Sequence, residues 1–310
     1  MLTAENVVKD PSEARHGRLS RCERGQTLVI VALLMLALMA LSALVLDVGN
    51  IYIQRRMVQN AADAAALAGA RALALGEDAS AVETEAIDYA MQRNAASSCV
   101  VSVVSTTVMV TASKTFPTYF APILGIPAAT VNATAQGGQL GYPGSWTGGL
   151  MPIAVDKNAV SPGRSIQIWD DGKTVDSKSG ATAGGDRGWL YFEGPGASTI
   201  RNEIEGGGYG GTVKVGDWID GAPGVKNSCT GAMSIWINHI VICPVYDEYD
   251  AKCQGNECGY HIVGFGAFKV TKIVDKGNPK YIEGVFQNYT VGGRTGGTFD
   301  TGVRVIGLKR

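Results

Sequence analysis

The sequence has little net charge and few signatures of catalysis. Its 310 residues carry a formal net charge of −1, so bulk charge favours neither nucleic acid nor an acidic partner. It has no H-E-x-x-H, G-x-S-x-G or C-x-x-C motif, which are patterns of zinc proteases, serine hydrolases and paired thiols. We therefore expect a non-enzymatic protein with no cofactor, no bound metal and no small-molecule substrate. A tethered hydrolase ranks last among the alternatives.

Proline is absent from Gly25 to Leu75, and charge is absent from most of the first part of that stretch. Leu28 to Leu46 contains only one polar side chain, Ser42. With the residues just before it, the run has about the 20 residues that a bilayer core requires. This predicts a single-pass membrane anchor. The alternative is a cleaved signal peptide, for which Ala40–Ala43 would supply small residues at the cleavage site.

Basic residues predict the orientation of this anchor. Two follow the apolar run within twenty residues, Arg55 and Arg56, whereas five precede it: Lys9, Arg15, Arg18, Arg21 and Arg24. Because basic residues stay on the cytoplasmic side, we expect a cytoplasmic N-terminus and an extracytoplasmic C-terminal bulk.

That orientation places all cysteines except Cys22 where disulfides persist. Four of them cluster late in the chain, at Cys229, Cys243, Cys253 and Cys258. Two bridges within this cluster are the simplest expectation, and the sequence does not fix their pairing.

Two metal sites are the alternatives in the same region. Cys243, Cys253, Cys258 and His261 are ligand types that zinc prefers, although structural zinc usually has tighter cysteine pairs. Asp247, Glu248 and Asp250 offer oxygens to Ca²⁺, but a solvated acidic loop is the plainer interpretation. Disulfides are favoured over zinc.

The apolar run continues without a break into an alanine-rich stretch of strong helix formers. One helix from Gly25 to Leu75 would be about 75 Å long at about 1.5 Å per residue, with Gly76 as its stop. Its outer half carries a stripe of mostly small residues, which we define as the helix seam: Val58, Ala61, Ala62, Asp63, Ala65 and Gly69. Small side chains allow close approach of a second helix, or the seam supports the domain of the same chain. Asp63 is either an exposed charge or a partner for Arg55 or Arg56 of a neighbouring chain.

The rest of the chain predicts an α+β fold: a long transmembrane helix, a small α/β region and a β-rich extracytoplasmic domain. Glu77–Asn94 has helical spacing, Cys99–Ala112 reads as a β-hairpin, and Ala128–Ala135 as a strand. Gly137–Gly149 has the composition of a linker. The expected divisions are a cytoplasmic tail (1–24), the helix (25–75), the α/β region (76–136), the linker (137–150) and the β-rich domain (151–310).

The helix resembles a known family. The run is RGQTLVIVALLMLALMALSALVLDVGNIYIQRRMVQNAADAAALAGARAL, with Arg-Gly before the apolar stretch, then Asp47-x-Gly49, a basic pair, and QNAADAAALAGA from Gln59 to Ala70. This ordered combination resembles the N-terminal segment of TadE/TadG-like proteins of the Tad (Flp) pilus-assembly system. FAPILGIPAATVNATA within Phe116–Ala135 also resembles the region C-terminal to that segment in TadG-like members.

The resemblance implies a membrane-anchored pilus-assembly or minor pilin-like component that meets other subunits of that apparatus. It also implies a prepilin-peptidase site between Gly25 and Gln26. The full prepilin pattern places Glu five residues past the cut, where this chain has Ile30. The alternatives are retention as an uncleaved anchored protein and, as a different function, a membrane-tethered extracytoplasmic binding or adhesion protein that works through residues 151–310.

Overall fold

The computed structural model describes residues 23–169, 173–176, 182–185, 188–222, 227–250, 259–277 and 280–309. For residues 23–25, 173–176, 182–185, 227 and 250 it describes the backbone alone. Of the predicted cytoplasmic tail (1–24), only the backbone of Glu23 and Arg24 is described, at the start of α1. Cys253 and Cys258 lie outside the described residues.

The predicted α+β class is confirmed. The described helices are α1 (Glu23–Leu75), α2 (Ala79–Asp88), α3 (Ala197–Glu205) and α4 (Asn227–Ala232). A π-helical turn over Tyr89–Arg93 extends α2, and short 3₁₀ helices cover Ala121–Leu124 and Met233–Trp236.

Helix α1 ends where Gly76 predicts. Gly76 has a φ of +89°, a left-handed conformation that glycine adopts without steric cost. Its N–H donates to the carbonyl oxygen of Leu73 at 3.1 Å, and the N–H of Glu77 donates to that of Ala72 at 3.1 Å. This pair of bonds is a Schellman motif, which satisfies carbonyls that the helix leaves open.

The described residues form sixteen strands. In chain order they are β1 (Ser98–Val104), β2 (Thr107–Pro117), β3 (Ala128–Pro143), β4 (Ser145–Thr147), β5 (Val155–Asp156), β6 (Ser165–Trp169), β7 (Lys173–Asp176), β8 (Thr182–Gly185), β9 (Thr212–Lys214), β10 (Trp218–Ile219), β11 (Ile240–Asp250), β12 (Gly259–Val274), β13 (Tyr281–Gln287), β14 (Tyr289–Val291), β15 (Thr295–Gly297) and β16 (Val303–Lys309).

These strands build two main sheets and a small pair. The first sheet has the order β1-β2-β3-β16-β14, with β15 also on β3. The second has the order β5-β11-β12-β13-β6-β7-β8, with β10 on β12, and β4 pairs with β9. In the first sheet, β16 runs antiparallel to β3, so that Lys309 lies opposite Gln136.

The chain divides into two compact units that cut across the predicted divisions. One comprises residues up to Met57 together with Lys114–Val131; the other comprises Val58–Ser113 and Asn132–Arg310. Most of the stretch expected as a linker is strand: β3 continues to Pro143, and Ser145–Thr147 is β4. The glycines that predict flexibility there let the strand approach the helix closely instead.

The second unit contains the alanine-rich part of α1, which packs against the first sheet and α2. A Cβ placed on Gly69 would lie 2.9 Å from Val108 Cγ1 on β2 and 3.4 Å from Ala86 Cβ on α2. A Cβ on Gly137 of β3 would collide with the backbone carbonyl of Ala66. The backbones of helix and strand therefore meet at a distance that only glycine permits.

The second sheet has an apolar core on each face. Helices α3 and α4 cover one face, where Ile200, Ile204 and Met233 pack with side chains such as Phe268 and Phe286. Phe265, Tyr260 and Leu150 belong to the core on the other side. Alternation along β13, buried at every second residue from Ile282, is the pattern expected of a strand that packs on one face.

Replacement of Gly137 by Ala should destabilise the protein by about 1–3 kcal/mol, because the new methyl group forces helix and strand apart. Thermal unfolding of the full chain in detergent micelles measures this as a lowered midpoint. Gly49→Ala is the matched control, because a Cβ there meets nothing within 4 Å and alanine favours the helix. Equal midpoints for Gly137→Ala and the wild type would contradict the close contact.

Candidate functional site

The first part of α1 carries apolar side chains that the rest of the protein leaves uncovered. From Leu28 to Val48 its large apolar residues are 45–74% exposed. Within the described residues, α1 is the one helix long and apolar enough to cross a membrane. So large an apolar surface is unfavourable in water and is what a lipid-spanning segment presents.

Asp47 closes this apolar run with a buried carboxylate, only 6% exposed. Oδ1 accepts the backbone N–H of Tyr119 at 2.7 Å, and Oδ2 accepts those of Phe120 at 3.0 Å and Ala121 at 2.7 Å. These donors lie at the start of the 3₁₀ helix Ala121–Leu124, in the loop that joins β2 to β3. Backbone N–H groups at a helix start favour a negative charge, and the three bonds compensate the desolvation of the carboxylate.

The alanine-rich second part of α1 has the opposite surroundings. Ala61, Ala62, Ala65 and Ala66 are each 0% exposed, and Val58 is 1% exposed. This stretch has no clear polar and apolar faces in sequence, and in the structure nearly all sides of the helix are covered by its own unit. Small side chains suit that position because neighbouring elements approach α1 from several directions.

The family comparison covers both parts of this helix. Residues 25–72 match the family model described as putative Flp pilus-assembly TadE/G-like. Residues 25–72 are therefore similar to this family, and we call them the TadE/G-like segment. No curated protein and no solved structure matches the chain. The resemblance inferred from the sequence is confirmed over this segment.

In the TadE/G-like segment, the helix seam packs against other parts of the same chain. Five of the six seam residues are buried, and the sixth, Asp63, is half-buried. Asp63 Oδ1 accepts a hydrogen bond from Gln59 Nε2 at 2.8 Å. Asp63 lines a cleft of about 450 Å³ together with Gln136 and Lys309. Its expected pairing with Arg55 or Arg56 of another chain stays a prediction.

The base of the TadE/G-like helix is held by residues that no sequence motif marks. Arg304 Nη1 donates to the carbonyl oxygen of Ala74 at 2.6 Å, and Asn288 Nδ2 donates to that of Leu75 at 2.9 Å. Asn288 and Asp300 in turn accept hydrogen bonds from Arg304, at 3.1 Å and 3.2 Å. A guanidinium at a helix C-terminus complements the negative end of the helix dipole. Sequence separation hides this cap, since nothing near Leu75 signals it.

The predicted disulfides are not supported within the described residues, where no bridge joins two cysteines. Cys243 is a fully buried thiol, and burial raises its pKa to about 12. Cys229 Sγ lies 3.6 Å from the carbonyl oxygen of Ala197. Pairing that involves Cys253 or Cys258 lies outside the described residues and stays a prediction.

Two of the candidate metal ligands in the C-terminal region, His261 and Asp247, contact each other. His261 Nδ1 is 2.7 Å from Asp247 Oδ1, and Lys157 Nζ is 3.4 Å from Asp247 Oδ2. Desolvation raises the pKa of Asp247, but His261 and Lys157 outweigh it, so that the net shift is downward. Across the described ranges no three His, Cys, Asp or Glu side chains form a group suited to a metal ion.

A buried acid lies on α3, where the sequence shows no motif. Glu203 is 7% exposed; its Oε1 accepts the backbone N–H of Glu193 at 3.2 Å. Its Oε2 has no hydrogen-bond partner among the described residues. Burial raises the pKa of Glu203 to about 7, with the N–H of Glu193 opposing this and the Glu193 charge adding to it.

Glu203 should make the protein less stable as pH rises from the ordinary glutamate value of 4.5 towards about 7. In that interval the unfolded chain has released the proton that the folded chain still holds, so deprotonation favours unfolding. Glu203→Gln should remove this loss, which urea unfolding on either side of the interval measures. Glu205→Gln, at an exposed position paired with Arg201 at 3.5 Å, should keep the wild-type pH dependence. A Glu203→Gln profile that matches the wild type would contradict the buried-acid assignment.

Proposed function

We propose that the protein is a membrane-anchored component of a Tad (Flp)-type pilus apparatus, pilin-like or an assembly factor, with a structural rather than catalytic role. One observation supports this most: a single unbroken helix, TadE/G-like over residues 25–72, has an uncovered apolar first part and a second part that is the core of a folded unit. Such a helix contributes both a membrane-spanning stretch and part of the core of the exported domain.

We place the contacts with other subunits on the uncovered part of the helix. The seam residues from Val58 to Gly69 are occupied by the chain's own sheet and α2. Leu in place of Ala65 would overpack this core and so would report folding, not assembly. Tyr52, Ile53, Arg55 and Arg56, in contrast, are exposed.

The basic-residue bias supports a cytoplasmic N-terminus and an extracytoplasmic bulk. Processing between Gly25 and Gln26 stays a prediction of the family resemblance; both residues lie in the first turns of α1. Ile30 at the position of the prepilin glutamate favours retention of the whole chain as the anchor.

The basic pair is the sharpest test of this function. Arg55 and Arg56 are exposed, and neither forms an ion pair with another described residue. Reversal to Arg55→Glu/Arg56→Glu should lower the amount of pilin recovered by shearing from cells, because the pair would repel an acidic partner. The protein's level in membranes and its thermal midpoint should not change.

The control is Arg55→Lys/Arg56→Lys, which preserves the charge and should preserve piliation. Normal piliation in the Glu variant would contradict an assembly role for this face. A fall in the protein's membrane level would instead assign the defect to folding or insertion.

A second candidate function, an extracytoplasmic binding protein, has one observation in its favour. A cleft of about 450 Å³ in the C-terminal region is lined by aromatic and acidic side chains, among them Tyr191, Phe192, Tyr209, Trp218, Asp217 and Asp220. The rings of Phe192 and Tyr209 stack at 4.4 Å. Aromatic faces with nearby hydrogen-bond acceptors suit a glycan, whose C–H groups stack and whose hydroxyls donate.

If this cleft binds glycans, the purified full chain should be retained on a glycan array, and Trp218→Ala should reduce retention. Trp236→Ala is the control, because Trp236 does not line the cleft. Its Nε1 donates a hydrogen bond to the carbonyl oxygen of Ile204 at 3.0 Å. An array with no retained glycan, alongside a piliation defect in the Arg55/Arg56 variant, would decide for the assembly role.

A further inference from the structure

The loop between β2 and β3 exposes an unusual amount of apolar surface. Ile123 is 84% exposed, Leu124 81%, Tyr119 69%, Ile126 53% and Phe120 41%. The loop is nevertheless ordered by its own bonds. Thr118 Oγ1 donates to the carbonyl oxygen of Ile126 at 2.6 Å, and Thr118 N–H to that of Pro127 at 3.2 Å. The loop is thus closed by its own hydrogen bonds while its large apolar side chains stay exposed.

Asp47 fixes this loop at one height along α1. The three backbone N–H groups that its carboxylate accepts all belong to the loop. Asp47 follows directly on Leu46, the last residue of the apolar run. The loop and the end of the run therefore lie at the same level, within one compact unit of the chain.

The length of the apolar run fixes where that level falls. From Leu28 to Leu46, nineteen helical residues at about 1.5 Å each rise roughly 28 Å, close to the roughly 30 Å of a bilayer hydrocarbon core. Asp47 then lies at the boundary between hydrocarbon and headgroups. A carboxylate there is costly unless it is paired or hydrogen-bonded, and the loop supplies the bonds.

The neighbouring residues on α1 have the character of a membrane interface. Tyr52 is 69% exposed, and Arg55 and Arg56 follow it at one helical turn. Tyr119 and Phe120 add aromatic rings from the loop. Aromatic residues concentrate at headgroup level, so Tyr52, Tyr119 and Phe120 suit this position.

We propose that residues Tyr119–Ile126 form a second membrane contact, an apolar loop that inserts into the lipid interface beside α1 and is tethered to it by Asp47. Its partner is the outer leaflet of the bilayer that α1 spans. Continuity with the exposed apolar run selects lipid over another protein as the occupant. Two contacts instead of one restrain the helix against tilting and rotation in the bilayer. The proposal rests on the membrane anchoring proposed above.

The test places a photoreactive diazirine amino acid at one position of the full chain in vesicles of phosphatidylethanolamine and phosphatidylglycerol. Mass spectrometry after illumination identifies what each position contacts. The positions are Leu124 in the loop, Leu36 in the apolar run and Val104 on β1; Leu36 is 63% exposed and Val104 64%. We expect lipid adducts at Leu124 and Leu36, and none at Val104.

Each of the other outcomes contradicts a specific part of the proposal, either the loop contact or the membrane anchor. Lipid adducts at Leu36 without any at Leu124 overturn the loop contact and leave the anchor intact. Cross-links from Leu124 to a second copy of the protein make the loop a subunit interface and also overturn it. Lipid adducts of equal yield at all three positions show unspecific contact with vesicles and overturn it too. No adduct at Leu36 overturns the anchor itself.

Asp47→Asn tests the tether separately, because an amide retains one acceptor oxygen and loses the charge. The yield of lipid adducts at Leu124 should fall, whereas that at Leu36 should be unchanged. An unchanged yield at Leu124 overturns the role of the carboxylate. A fall at both positions overturns it as well, since the variant then disturbs insertion of α1.

Discussion

The close approach of α1 to strand β3 is the contact on which the rest of the structure depends. Gly137 lies against the backbone of Ala66, and Gly69 lies against Val108 and Ala86. Because Gly69, Gly137, Ala66 and Ala86 carry only hydrogen or methyl side chains, the helix packs closely against both the sheet and α2. The larger apolar residues of the same helix lie mainly between Leu28 and Val48, where the rest of the protein does not cover them. Size of side chain, more than hydrophobicity, separates the two environments along one continuous helix.

Much of the helical part follows from local sequence. A run of nineteen residues that are apolar except for Ser42, the absence of proline and the glycine at position 76 predict α1 and its end. Helical spacing after Glu77 predicts α2. The β1–β2 hairpin follows from β-branched residues within Cys99–Ala112. Each of these signals acts over a few residues, so composition and periodicity are sufficient to find it.

The remaining features join residues that are far apart in sequence. Asp47 meets a loop more than seventy positions later, and Arg304 meets Ala74 across 230 positions. The glycines before Pro143 have the composition of a linker, yet glycine also serves where a strand must touch a helix. Local patterns do not distinguish these two uses. The burial of the helix seam likewise depends on a sheet whose strands are distant from it in sequence, so the seam residues alone do not predict it.

Arg304 of β16 caps the C-terminal end of α1, and this contact sets an order of events during synthesis of the chain. Synthesis delivers the helix first and then β1, β2 and β3, which pack on its alanine-rich half, whereas the Arg304 cap has to wait until residues 303–309 have been made. Contacts of such long separation form late and slowly. During that interval the C-terminal end of α1 is without the Arg304 cap, so a truncated or stalled chain would carry the apolar run on a helix whose end is uncapped. Completion of the second unit is thus the condition for a capped C-terminal end of α1.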